Sequence, residues 1–237
     1  MIPAPSDPGP PGASPEWRRR HEEILACTAC VRSGHIPFAL PMFQGAPGQR
    51  LMLVGQAPGE RELGPRKPFA GRSGAELARW MTRAGFVDDD HFRSLTYITS
   101  VTKCFPGKAT SGGGDRRPSG VEVMQCRPWL GAQLELVRPR LLLLVGGLAH
   151  NAFPVTRGRG LDQLIGTILD GTGADRAEGL LSARVDPAEP GATWFLPLPH
   201  PSGASRWLNV PAHRDLLTRA LDVLRCTWPV LVENSYL

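Results

Sequence analysis

The chain has 237 residues, enough for one large domain or two small ones around a full core. Its hydrophobic content of 41% is ordinary for a soluble protein, and no apolar run reaches the ~18 residues of a membrane-spanning helix. The net charge of +5, carried almost wholly by arginine, permits a polyanionic partner without requiring one.

Residues 1–15 are rich in proline and lack an apolar core, so they read as a disordered tail and not as a secretory signal. That leaves 16–237 as the folded domain, in an expected reducing, cytoplasmic setting. Ser14 is placed to cap a helix over 16–26, with Pro15 at its first position and Trp17, Ile24 and Leu25 as apolar contacts. This helix delivers Cys27 and Cys30. An irregular Gly- and Pro-rich stretch, 35–50, precedes the apolar run 51–54, which reads as a buried parallel strand. The strand runs into Gly55-Gln56-Ala57-Pro58-Gly59-Glu60 and then Lys67-Pro68-Phe69-Ala70-Gly71. Open α/β sheets bind ligands at such loops, at the carboxyl ends of strands. An aromatic held between Pro68 and Ala70 can floor a site for a planar ring.

Residues 73–84 carry Leu77, Trp80 and Met81 on one helical face, closed by Gly85. A second strand is expected over 95–101, leading into Lys103-Cys104. A flexible loop, 106–120, carries a glycine triplet, 112–114, and the pair Arg116-Arg117. A helix over 119–137 presents Cys126. Leu141–Val145 reads as a third strand, followed by a Gly146-Gly147 turn and a short helix, 148–153. Short strands and turns are expected over 154–192. A fourth strand, Trp194–Leu198, ends in Pro199-His200-Pro201-Ser202-Gly203-Ala204-Ser205-Arg206-Trp207. The closing helix, 212–225, turns Leu216, Leu217, Leu221 and Leu224 inward, and Cys226 is expected to be buried there. Strands alternating with helices define the α/β class: a three-layer α/β/α domain with a mostly parallel sheet of about four strands.

In such a sheet the loops after the first, second and fourth strands share one rim, which brings Gln56, Phe69, Ser100 and His200 together. A histidine between two prolines is held stiffly and can donate a hydrogen bond to a developing anion. Cys27, Cys30, Cys104 and Cys126, four of the five cysteines, are able to form one site. Four thiolates suit zinc or an iron–sulfur cluster, and spacing does not choose between them.

These motifs resemble the uracil-DNA glycosylase superfamily, in its iron–sulfur branch known as family 4. That branch has C-x-x-C, a Gly-Glu-Ala-Pro-Gly-Glu loop, Arg-Pro-Phe-x-Gly, Tyr-x-Thr-Asn-x-x-Lys-Cys, Cys-Arg-Pro-x-Leu and a late His-Pro-Ser. This chain has Gly55 to Glu60, Lys67 to Gly71, Tyr97-Ile98-Thr99-Ser100-Val101-Thr102-Lys103-Cys104, Cys126-Arg127-Pro128-Trp129-Leu130 and His200-Pro201-Ser202 in the same order. The resemblance implies a monomeric enzyme that flips uracil out of single- or double-stranded DNA. Phe69 would stack on the ring, His200 would donate to uracil O2, and groups around Gln56 and Ala57 would read the base edge. Ser202, Ser205 and Arg206 would meet DNA, as would Arg116 and Arg117. The four cysteines would bind a structural [4Fe-4S] cluster.

Three positions depart from that pattern. Gln56 replaces the loop glutamate, Ala57 stands where another branch has aspartate, and Ser100 replaces the uracil-pairing asparagine. Glu60 and Glu62 remain to position water, with Glu62 at the spacing from Phe69 expected of a supporting carboxylate. Arg116-Arg117 lies where one branch carries a trapping histidine, and none stands here, so covalent trapping is not expected. Two other readings stay open: a non-catalytic DNA-binding protein on the same scaffold, and a zinc enzyme acting on another substrate.

Overall fold

The structure is a computed structural model; the residues it describes are 12–110, 114–181, 193–202 and 206–233. The first eleven residues of the expected tail, Gly112-Gly113 and the 203–205 portion of the His200 loop, including Ser205, lie outside them.

Four strands, β1 (Leu51–Gly55), β2 (Thr96–Ser100), β3 (Leu141–Val145) and β4 (Trp194–Leu198), form a sheet of order β2-β1-β3-β4 with every pairing parallel. Register is tight: Leu51 faces Thr96 on one side and Leu141 on the other, and Leu141 faces Trp194. The helices are α1 (Pro15–Leu25), α2 (Ala29–Arg32), α3 (Glu60–Leu63), α4 (Arg72–Arg83), α5 (Asp89–Leu95), α6 (Gly120–Val137), α7 (Gly147–Ala152), α8 (Leu161–Leu164), α9 (Ala177–Leu181) and α10 (Pro211–Trp228). None among the described residues is long and apolar enough to cross a membrane.

Strand residues alternate between the two faces, so each apolar run feeds two cores. Leu51, Leu53, Ile98, Leu143 and Leu196 pack with Trp80 and Met81 of α4, Phe92 of α5 and Leu221 and Leu224 of α10. Met52, Val54, Tyr97, Leu142 and Leu144 pack with Trp17 of α1, Leu130 of α6 and Ala149 of α7. This is the three-layer α/β/α arrangement. Helix starts follow the sequence: Ser14 accepts from Trp17 N, and Ser119 forms a capping box with Glu122.

Four expectations need correction. Leu25 is exposed, because the inward stripe of α1 is Trp17 and Ile24, and Leu25 lies a further 100° round the helix. Cys226 is exposed, on the outward side of α10 between buried Leu224 and Trp228. Leu216 is only half-buried. Within 154–192 the described residues form the short helices α8 and α9; the only trace there of the expected strands is Leu169, bridged to Asp175 and to Phe195 at the sheet edge.

One polar chain crosses the second core. His21 Nδ1 donates to Trp17 O at 2.7 Å, which leaves Nε2 to accept from the Tyr97 hydroxyl at 2.9 Å. Gln133 Nε2 donates to that same hydroxyl oxygen at 2.9 Å, and Thr99 Oγ1 donates to Gln133 Oε1 at 2.9 Å. Every member is paired, so the chain fixes α1 and α6 against β2 at little net cost. Gln133→Leu unpairs the Thr99 donor inside the core. It is expected to lower stability by about 1–3 kcal/mol in urea unfolding with an unchanged denaturant slope.

Candidate functional site

Strand order reverses between β1 and β3, and the loops leaving these two strands part at that point. A cleft of about 520 Å³ opens there, a size suited to a small planar ligand. Its walls include Gln56, Ala57, Glu62, Phe69, Ser100, His200 and Ser202, so every expected base-contacting residue lies on one cavity.

Phe69 is held in a left-handed conformation, φ 56°, which a bulky side chain rarely adopts. Two glycines make room for it. A Cβ on Gly55 would sit 2.9 Å from the ring's Cζ, and one on Gly74 would overlap the Phe69 carbonyl at 1.7 Å. Glu62 takes the N–H groups of Gly59, at 2.8 Å, and of Phe69 and Ala70. Burial nevertheless raises its carboxyl above the usual range. Glu62, expected as a water-positioning group, is thus also the tie that shapes the loop.

His200 leaves the end of β4 and packs against Gly146, whose φ of 85° requires glycine and whose added Cβ would lie 3.1 Å from the ring. Burial lowers the His200 pKa and favours neutral imidazole. Behind it, buried His150 donates from Nε2 to Leu144 O at 2.9 Å and Leu198 O at 3.0 Å, pinning the ends of β3 and β4 together. Ser100 is buried, and its hydroxyl donates to Thr102 O at 2.7 Å. A carbonyl can only accept, so the proton is committed and Ser100 Oγ retains only acceptor capacity.

The arginine pair divides. Arg116, expected to meet DNA phosphates, lines the cleft and also grips buried Glu122 through two bonds of 2.7 and 2.6 Å and donates to His35 O. Burial alone would raise the Glu122 carboxyl; the bonds from Arg116 and Ser119 overcome this and hold it at about 2. Arg117 and Arg206 are exposed. Sequence reasoning passed over Asp115, the residue before this pair. It lines the cleft, accepts from Glu60 N at 3.1 Å and pairs with Lys108 at 3.3 Å. An acid beside two arginines in a Gly-rich loop was the available signal.

A second cavity is lined by Cys27, Cys30, Cys104 and Cys126. Trp129 Nε1 donates to Cys27 Sγ at 3.1 Å and Lys103 N to Cys126 Sγ at 3.3 Å. Thr102 Oγ1 and Gln125 Oε1 are buried on the same wall without a partner among the described residues. Burial raises the Cys30 and Cys126 thiols, and pushes Cys104 up to about 12. Among the described residues no three His, Cys, Asp or Glu side chains converge as a single-ion site. Four sulfurs, N–H donors aimed at two of them and orphaned polar atoms on the same wall fit a larger sulfur-ligated group. Fully buried Lys103 joins the two cavities, its ammonium donating to Ser100 O.

A parallel α/β/α domain with a planar-ligand cleft at its switch point and a thiol-lined cavity beside it is a narrow class. The sequence profile of the uracil DNA glycosylase superfamily matches residues 42–225, and the chain belongs to that superfamily. It is 31% identical over 149 residues to the Type-4 uracil-DNA glycosylase of Pyrobaculum aerophilum, covering 63% of this chain and 70% of that one. With the Type-4 uracil-DNA glycosylase of Thermotoga maritima it shares 28% identity over 156 residues, 65% of this chain and 74% of the relative. The match to the Type-4 uracil-DNA glycosylase of Sulfurisphaera tokodaii, 30% over 125 residues, spans about half of each protein, 53% and 52%.

Burial lowers the pKa of His21, His150 and His200 alike. Unfolding therefore takes up protons once pH falls below the ordinary histidine value of 6.5. Stability contributed above that pH is expected to be lost as it falls. Urea unfolding at stepped pH checks this, and His150→Gln, which keeps a donor, should remove part of the dependence.

Proposed function

We propose that the chain is a monofunctional uracil-DNA glycosylase that flips deoxyuridine into the cleft, hydrolyses its N-glycosidic bond and leaves an abasic site. The names of its relatives and its superfamily support glycosylase chemistry. The observation that carries the choice of uracil is the committed Ser100 hydroxyl. An oxygen with only acceptor capacity suits the N3–H of uracil and repels the N3 lone pair of cytosine. A site built for one hydrogen-bond polarity rejects the wrong base strongly.

In this reading Phe69 stacks on the ring and neutral His200 donates to O2 as the base leaves with negative charge. The DNA phosphates stabilise the cationic sugar. Gln56 offers an amide to the base edge but no carboxylate. Glu62 and Asp115, the acids on the cleft wall, are the groups left to orient water. Ser202, Arg206 and Arg117 approach the strand, and the protein acts as a monomer. Cys27, Cys30, Cys104 and Cys126 would hold a [4Fe-4S] cluster, whose part is structural, tying α1 and α6 to the sheet.

Anaerobically purified wild-type protein is expected to release uracil from single- and double-stranded oligonucleotides. His200→Ala should lose roughly 100- to 1,000-fold in rate, as for removal of one oxyanion donor. Ser100→Ala should lose roughly tenfold, the worth of one hydrogen bond. No release from protein that still binds DNA would instead favour the non-catalytic reading, which Gln56 and Ala57 motivate. For the thiol cavity, Cys104→Ser should lose iron content and broad visible absorption and lower the melting temperature. Zinc in colourless wild-type protein would refute the cluster.

A further inference from the structure

We propose that Arg93, which does not itself line the cleft but bonds to residues that do, is the positioning residue that fixes Phe69 as a stacking floor. Arg93 lies on α5 and is 6% exposed. Its guanidinium donates to Pro68 O at 3.1 Å and to Phe69 O at 3.3 Å, the successive carbonyls of the strained turn. Nε donates to Asp89 Oδ2 at 2.6 Å, and Nη1 reaches Gln44 Oε1 at 3.4 Å. The cation is therefore tethered at its root and spends its fork on the turn.

The turn needs holding. An aromatic with φ of 56° reverts to ordinary backbone unless its surroundings forbid it. Glu62 holds the N–H side of the turn and Arg93 the carbonyl side, while Gly74 lets α4 close against the Phe69 carbonyl. A guanidinium serves two carbonyls and a carboxylate at once because its donors form a rigid planar fork, whereas a lysine ammonium reaches such a set incompletely. Gln49 Nε2 donates to Arg93 O at 3.3 Å, which fixes the backbone that carries the fork. Arg93 thus acts on the base only through the pose of the ring.

This inference rests on the reading of the cleft as a uracil site, and its test separates the two. The probe is a single-stranded oligonucleotide with one 2′-fluoro-2′-deoxyuridine, in which fluorine slows bond cleavage, against the same strand with deoxycytidine. The readout is the ratio of equilibrium affinities, independent of turnover. Phe69→Ala is expected to cut that ratio roughly tenfold, the worth of one stacked base. Arg93→Met should match it, Arg93→Lys should fall between, and Phe69→Ala/Arg93→Met should be no worse than Phe69→Ala alone. Losses that multiply in the double variant, or full discrimination by Arg93→Met, would overturn the clamp and leave the uracil reading standing. If Arg93→Met does not fold, full discrimination by Arg93→Lys overturns it equally. A wild type that binds both strands alike overturns the uracil reading and the clamp with it.

Discussion

Parallel pairing of β1 with a strand on each side is the constraint from which the site follows. Because β2, β1, β3 and β4 all run the same way, every chain exit that matters emerges on one rim. The exits from β1 and β3 diverge there and leave the cleft between them. Parallel strands demand long crossovers covered by helices, so the sheet is dry on both faces and its ends are rigid. His150 makes that rigidity local, holding the last turns of β3 and β4 together beneath His200. A base-sized site can thus be built from loops without being a loose one.

The short run from Ser100 to Cys104 belongs to both cavities. Its start is tied to the β1 exit, with Val101 N donating to Gly55 O at 2.9 Å and Thr102 N to Gln56 O at 3.2 Å. Its end bears Cys104, and Lys103 N donates to Cys126 Sγ. Whatever occupies the thiol cavity therefore bears on the backbone that aims Ser100. A sulfur-ligated centre held there, as proposed, would do more than join α1 to α6, for it would also brace one wall of the cleft. Lys103 suits the join because its buried charge lies beside thiols and lends a donor to the Ser100 carbonyl.

The strands were legible because both faces are buried: Leu51 to Val54 and Leu141 to Val145 are apolar throughout, and their bounds hold to within a residue. The gathering of Gln56, Phe69, Ser100 and His200 was legible too, since strand order in an α/β sheet places loops before any contact is known. What was hidden depends on how side chains and carbonyls are aimed once the chain has folded. Nothing near Arg116 shows that Glu122 will claim it, and nothing near Arg93 shows that its fork will meet carbonyls some 25 residues earlier. The polarity of Ser100 is set by the direction of one carbonyl, a backbone fact with no trace in composition. Cys226 was misplaced for a simpler reason: a cysteine near an amphipathic helix was assumed to face inward, and helical phase put it outside.

On the proposed reading, the changes at Gln56 and Ser100 bear on rate more than on the kind of chemistry. When a base leaves with its bonding electrons, charge builds on base and sugar before water is committed, so the largest demand is for donors and dipoles already in place. In that reading neutral His200 and a floor at Phe69 answer that demand without residue 56. A carboxylate that orients water contributes typically 10²–10⁴-fold, out of enhancements that begin near 10⁶. Glutamine at the loop, on the same reading, gives up a share of that size and leaves the remainder in place, and Asp115 brings a carboxylate to the same cleft from a different loop. On the proposed reading, serine for asparagine gives up the donor that would meet O4 and keeps an acceptor for N3–H; each half tells uracil from cytosine, so the committed Ser100 hydroxyl retains one of the two contrasts.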